Sequence, residues 1–118
     1  MRVLSLAYKK PLLVERHKLL KRARFDVVSV STETDALRAL AQEQFDDVII
    51  GYSVPSEVRD LIARKAKSEF KAGVIFLYRH SINQAELADA VLSVDGNPKT
   101  LVNAIQICGQ RLNAGNLS

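Results

Sequence analysis

A run of three β-branched residues, Val48-Ile49-Ile50, constrains the fold of this chain more than any other stretch. Such a run is typical of a strand that is covered on both faces, as in a parallel sheet. Gly51 interrupts the run, and Pro55 ends any strand pairing because it has no N–H to donate. In an open α/β sheet the working site lies beyond the carboxyl ends of the central strands, so we expect a site near Gly51.

Strand-like and helix-like segments alternate five times along the 118 residues, a length suited to one domain. The predicted strands are 3–7, 27–30, 48–50, 74–78 and 90–94, and each is followed by a helical pattern. This alternation predicts an α/β fold, a doubly wound five-stranded parallel sheet with helices on both faces. The fourth helix, over residues 82–88, is the shortest. We expect a single domain over 1–108 and a loose tail over 109–118.

The net charge of +4 is unevenly distributed, with +6 across residues 9–24 and −6 across residues 25–60. Lys18, Lys21 and Arg22, the basic patch, are therefore candidates for binding nucleic acid or another anionic surface. The simpler interpretation is that these residues cover the solvent face of the first helix, opposite its leucines. The aromatic residues that interleave with basic ones in single-strand binders are missing from this helix.

The sequence offers no constellation for acid–base or nucleophilic catalysis, no glycine-rich phosphate loop and no cluster of metal ligands. We therefore predict that the chain is not an enzyme and needs no cofactor or metal. Asp46 and Asp47 precede the central strand at its amino end, where we expect them to be solvated or to accept backbone N–H groups. The sequence has no membrane span, and its single Cys108 cannot form an internal disulfide, so we predict a cytoplasmic protein.

Residues 45–55 resemble the central strand of response-regulator receiver domains, the flavodoxin-like modules of two-component signalling. Residues 89–101, with their Asn97-Pro98 pair, are similar to the fifth strand and the start of the last helix of that family. Arg2-Val3-Leu4 resembles the family's first strand, and the likeness covers residues 2 to about 108. The resemblance implies the receiver topology for the predicted sheet.

The residues that carry the family's phosphotransfer chemistry are replaced in this chain. The family's phosphoryl-accepting aspartate lies four residues before the proline, where this chain has Gly51. The acidic pair that holds Mg²⁺ corresponds to Ala7 and Tyr8. Tyr78 stands in place of the threonine or serine of the fourth strand, and Val94 in place of the lysine after the fifth. The resemblance therefore implies a degenerate pseudo-receiver that is not phosphorylated.

The resemblance also implies a surface for a partner. In the family, the fourth helix, the fifth strand and the last helix form a common dimerisation and partner face, and here the fourth helix is shortened. We predict that Ile82, Leu87, Val91 and Ile107, the candidate partner face, bind a protein partner or a second copy of the chain constitutively. Relaxed selection is an alternative explanation of the shortening, and the basic patch is the rival surface.

Overall fold

The computed structural model describes residues 1–80 and 85–117, with side chains described in these ranges as far as Cys108. The described residues form five strands and four helices. In chain order these elements are β1 (Arg2–Leu6), α1 (Lys10–Arg22), β2 (Asp26–Val30), α2 (Glu33–Gln42), β3 (Asp47–Ile50), α3 (Ser56–Ser68), β4 (Gly73–Tyr78), β5 (Ala90–Ser93) and α4 (Pro98–Leu117).

All five strands are parallel and lie in the order β2-β1-β3-β4-β5. β3 is the central strand, and Val48, Ile49 and Ile50 have no exposed surface. Ile50 pairs with Leu6 on one side and with Phe76 on the other, so β1, β3 and β4 point their carboxyl ends to the same edge. The predicted doubly wound parallel sheet is therefore confirmed.

Two buried clusters cover the two faces of the sheet. Neighbouring residues of β1 point to opposite faces, as strand geometry requires: Leu4 joins one cluster and Val3 the other. The Leu4 cluster includes residues of α2 and α3, whereas the Val3 cluster includes Leu20 of α1 and Ile105 of α4. Cys108 of α4 also lies in this second cluster.

The helix predicted over residues 82–88 is not formed in its described part. Residues 81–84 lie outside the described residues, and 85–88 form a turn in which Ala88 N–H donates to Ala85 O at 3.1 Å. Asp89 is paired with the start of β4, because its N–H donates to Val74 O at 2.7 Å and its Oδ2 accepts from Val74 N–H at 2.8 Å. Asp89 is thereby held at the start of β4, and the described residues just before it form a turn rather than a helix.

α4 extends through the segment that we expected to be a loose tail. It begins at Pro98 and continues to Leu117, so the boundary predicted at residue 108 falls within a helix. Glycine in the interior of a helix costs about 1 kcal/mol relative to alanine, and this segment contains Gly109 and Gly115. A helix that is already packed through Ile105 does not need a new nucleus to continue past them.

Large apolar side chains that are exposed in the described residues are scattered over several elements. They are Met1, Tyr8, Val14, Leu61 and Ile107. The two most exposed are Ile107 on α4, at 55%, and Val14 on α1, at 51%. None of the helices in the described ranges has the length and apolar character that a membrane crossing requires.

Candidate functional site

The carboxyl edge of the sheet brings together the positions that the sequence singled out. Gly51 N–H donates to Leu6 O at 3.0 Å, which places Gly51 beside the end of β1 and next to the buried Ala7. Val94 N–H donates to Tyr78 O at 2.8 Å, which places these two residues together at the ends of β5 and β4. The positions that the sequence analysis singled out therefore lie at the carboxyl ends of four parallel strands, as two neighbouring pairs.

The loops that follow β1 and β3 are tied together by one hydroxyl group. Ser53 Oγ accepts hydrogen bonds from the backbone N–H groups of Tyr8 at 3.0 Å and of Lys9 at 3.4 Å. The Tyr8 side chain is exposed. The Ser53 hydroxyl therefore connects the loop after β3 to the backbone of the loop after β1.

The guanidinium of Arg16 fills the space above Gly51. Arg16 projects from α1 and is only 9% exposed. Its Nη1 donates to Ser5 Oγ at 3.2 Å and to Leu6 O at 3.3 Å. Its Nη2 lies 2.8 Å from the position that a Cβ on residue 51 would take, closer than real Cβ contacts come. Because Gly51 has no side chain, it leaves room for the Arg16 guanidinium at the end of β3.

The site carries a buried positive charge. Burial lowers the pKa of Arg16 to about 10, while the nearby Tyr52 acts in the opposite direction, so Arg16 is protonated at neutral pH. Among the described residues no carboxylate forms an ion pair with it. Lys9 Nζ and Arg79 Cζ lie 5.9 and 5.8 Å from the centroid of the Tyr52 ring. Cations therefore surround this end of β3.

Magnesium does not suit these residues. Mg²⁺ prefers carboxylate oxygens in a near-octahedral shell, and Ala7, Tyr8 and Gly51 supply none. A guanidinium next to Gly51 also repels a cation. Over residues 1–80 and the described residues after 84, no group of three or more His, Cys, Asp or Glu side chains is placed to hold a metal ion.

Asp46 and Asp47, at the amino end of β3, have different environments. Asp46 Oδ2 accepts a hydrogen bond from Arg2 N–H at 2.8 Å, as expected. Asp47 is fully buried, and neither of its carboxylate oxygens has a hydrogen-bond partner in the described structure. Burial, together with the nearby charges of Asp46 and Asp89, raises the pKa of Asp47 to about 7. Our expectation for Asp47 is wrong because its side chain points under Gly73, where a Cβ would lie 2.5 Å from Oδ1.

The candidate partner face is only partly assembled in the described residues. Ile82 lies outside them. Leu87 and Val91 are half-buried and pack against the cluster that includes α2 and α3, whereas Ile107 is exposed on α4. Ile107 is thus the member of this set with the most surface to offer a partner.

The basic patch is exposed along α1. Lys18, Lys21 and Arg22 all lie on its solvent side, as expected. Arg16 does not join them, because it is turned toward the sheet. The sequence does contain a signal for this. Leu12, Arg16 and Leu20 are spaced four residues apart, so Arg16 interrupts the apolar stripe of the helix.

The fold of the chain is that of response-regulator receiver domains. No sequence family and no curated protein matches the chain. Among solved structures it is similar to a CheY-like response regulator receiver domain protein from Methanospirillum hungatei JF-1, with 17% identity, a TM-score of 0.82 and 97% of each chain covered.

It is also similar to the signal receiver domain of an HD domain-containing protein from Pseudomonas fluorescens Pf-5, with 18% identity, a TM-score of 0.83, and 96% of this chain and 97% of that chain covered. A response regulator receiver domain protein from Clostridium thermocellum gives 20% identity, a TM-score of 0.80, and 96% and 97% coverage. Likenesses at these identities show the fold, and they confirm the receiver topology that the resemblance implied.

Proposed function

We propose that this chain is a signalling module of the receiver fold that is not phosphorylated and that binds a protein partner, or a second copy of itself, constitutively. The observation that carries the proposal is the Arg16 guanidinium packed against Gly51. A side chain at position 51 would require this group to shift. The proposal assigns no catalytic residue and no cofactor to the chain.

A module that is not phosphorylated has no phosphoryl group that could shift an equilibrium between two conformations. A ligand shifts a conformational equilibrium only by its differential affinity for the two states. Arg16 instead fastens α1 to the end of β1 through Ser5 Oγ and Leu6 O. The module therefore presents the same surface at all times.

The surface that we propose for a partner runs from the turn at 85–88 across β5 to α4. β5 is an edge strand of the sheet, and residues 85–88 before it form a turn instead of the predicted helix. Leu87 and Val91 form the half-buried part of this surface, and Ile107 adds an exposed apolar side chain on α4. Isolated apolar residues are ordinary on protein surfaces, so the proposal depends on these residues acting together.

Incubation with acetyl phosphate and Mg²⁺, followed by intact-mass measurement, tests the loss of phosphorylation. We expect no added phosphoryl group, while an active receiver domain treated in the same way gains one. The variant Gly51→Asp is the sharper control, because it restores the acceptor but leaves Ala7 and Tyr8 unable to bind Mg²⁺. We expect it to remain unmodified. A stoichiometric adduct on the native chain would overturn the proposal, and one on the variant would show that Mg²⁺ still binds.

Nucleic-acid binding through the basic patch is the second candidate function. Lys18, Lys21 and Arg22 are exposed, and no described carboxylate forms an ion pair with them. Phosphate contacts give an affinity that falls steeply with salt. A fluorescence-anisotropy titration at several salt concentrations would support this function if binding were salt-dependent and lost on charge reversal of the three residues.

A further inference from the structure

A cavity of about 470 Å³ lies beside Arg16, between α1 and the segment that joins β5 to α4. This volume falls within the range of small-molecule sites in proteins. Leucine side chains from four elements contribute to its wall: Leu12 and Leu19 from α1, Leu77 from β4, Leu92 from β5 and Leu101 from α4. The cavity is therefore apolar over much of its wall and is built from the rigid framework of the fold.

Arg16 is the buried charge of this cavity. The other charged residues that line it, Glu15, Arg79 and Asp95, are all exposed and stand at its rim. Nη1 of Arg16 donates to Ser5 Oγ and Leu6 O, whereas Nε and Nη2 donate to no acceptor among the described residues. Burying a cation without a counter-ion is costly. An anion beside the guanidinium would remove part of that cost.

We propose that this cavity binds a small amphipathic carboxylate, with the carboxylate on Arg16 and an apolar tail against the leucines. The planar guanidinium offers two parallel donors, which match a carboxylate in bidentate geometry. The leucines favour an apolar tail, and they disfavour a small inorganic anion that keeps its hydration shell. Binding of a carboxylate in this cavity does not require a partner on the proposed partner face, and binding of a partner does not require a carboxylate in the cavity.

Hexanoate is a suitable probe, because it combines a carboxylate with a short apolar tail. We would titrate it into the ¹⁵N-labelled chain and follow the amide resonances of Gly51 and Leu101, which lie at the charged and apolar parts of the site. Two matched probes separate the contributions: 1-hexanol has the tail without the charge, and acetate has the charge without the tail. We expect saturable shifts with hexanoate at millimolar concentration and at least tenfold weaker binding of the other two.

Two variants test the assignment to Arg16. Arg16→Met keeps the length of the side chain and removes the charge, and we expect it to weaken hexanoate binding about tenfold or more. Because Arg16 is buried, that variant can also lose stability. Thr100→Glu is therefore the second variant: Thr100 lines the cavity at an exposed position of α4, where a negative charge repels the carboxylate. Asn103→Glu, exposed on the same helix but outside the cavity lining, is its control and should bind hexanoate normally.

The proposal is overturned if hexanoate gives no saturable shift, or if hexanol binds as well as hexanoate. It is also overturned if acetate or inorganic phosphate binds as tightly, since the site would then select an anion without a tail. Equal weakening by Thr100→Glu and Asn103→Glu would place the binding outside the cavity. These outcomes are distinct from the phosphorylation test, because none of them depends on acetyl phosphate.

Discussion

Nη2 of Arg16 lies 2.8 Å from the position that a Cβ on Gly51 would occupy. The two residues are therefore coupled, since any side chain at position 51 requires the Arg16 guanidinium to shift. The guanidinium lies over Gly51 and donates two hydrogen bonds, to Ser5 Oγ and Leu6 O. Its positive charge at the end of β3 does not suit Mg²⁺.

A carboxylate placed at position 51 should form an ion pair with Arg16. We expect Gly51→Asp to be more stable than the isosteric Gly51→Asn by about 1–3 kcal/mol at neutral pH. Arg16 favours the charged form, so the pKa of the new carboxyl in the folded state lies below its ordinary value of about 3.9. The added stability is present above that ordinary value and is lost as the pH falls through the lowered pKa.

Urea denaturation of the two variants at neutral and at strongly acidic pH measures this difference. Both variants carry the same Cβ and a side chain of the same shape, so the strain against Arg16 cancels between them. If their stabilities are equal at neutral pH, the guanidinium does not lie next to residue 51 and the account of the site is wrong.

The sequence predicts the sheet well and its site only partly. The β-branched run at 48–50 and the regular alternation specify a parallel sheet with a buried centre, because both faces of each central strand must be covered. The sequence analysis missed the buried position of Arg16 because arginine side chains are mostly exposed in folded proteins. Its burial depends on a tertiary contact, the empty space at Gly51 on another element.

The missing helix at 85–88 and the burial of Asp47 have similar causes. The local pattern favoured a helix there, but it does not show that Asp89 pairs with Val74, and residues 85–88 form a turn just before that pairing. Asp47 follows Asp46 in sequence, and no local signal distinguishes the carboxyl that faces Arg2 N–H from the one that points under Gly73. Both features depend on contacts between residues that are far apart in the chain.

Asp47 should make the stability of the chain depend on pH. Its pKa is about 7 in the folded chain and has an ordinary value of 3.8, so between these values the folded state holds a proton that the unfolded state releases. Stability is therefore lost as the pH rises from about 4 to about 7, and the full cost is present above the folded pKa.

We expect Asp47→Asn to be more stable than the native chain at pH above 7, by a few kcal/mol at most, because it cannot ionise. The difference should shrink as the pH falls toward the ordinary value of the carboxyl. Thermal denaturation across this pH range measures it, with the exposed Asp95→Asn as a control that should leave the profile unchanged. A native-like pH profile for Asp47→Asn would show that Asp47 ionises at its ordinary pKa.

Ile107 should contribute to self-association if the candidate partner face joins two copies of the chain. We expect Ile107→Glu to raise the dimer dissociation constant at least about tenfold in sedimentation velocity, because it places a charge in an apolar contact. Val14→Glu is a matched control, since Val14 is exposed to a similar extent on α1. If Val14→Glu or charge reversal of the basic patch weakens the dimer and Ile107→Glu does not, the interface lies on α1.

Titration of the ¹⁵N-labelled chain with Mg²⁺, followed through the amide resonances of Ala7, Tyr8 and Gly51, tests the central claim most directly. The resemblance to receiver domains aligns these residues with the family's metal-binding and acceptor positions, and Arg16 places a positive charge beside Gly51. The account predicts no saturable change in their resonances up to millimolar Mg²⁺, as expected for a site without carboxylate ligands. Saturable shifts at these three amides, absent elsewhere in the chain, would show that the site still binds Mg²⁺ and would contradict the account.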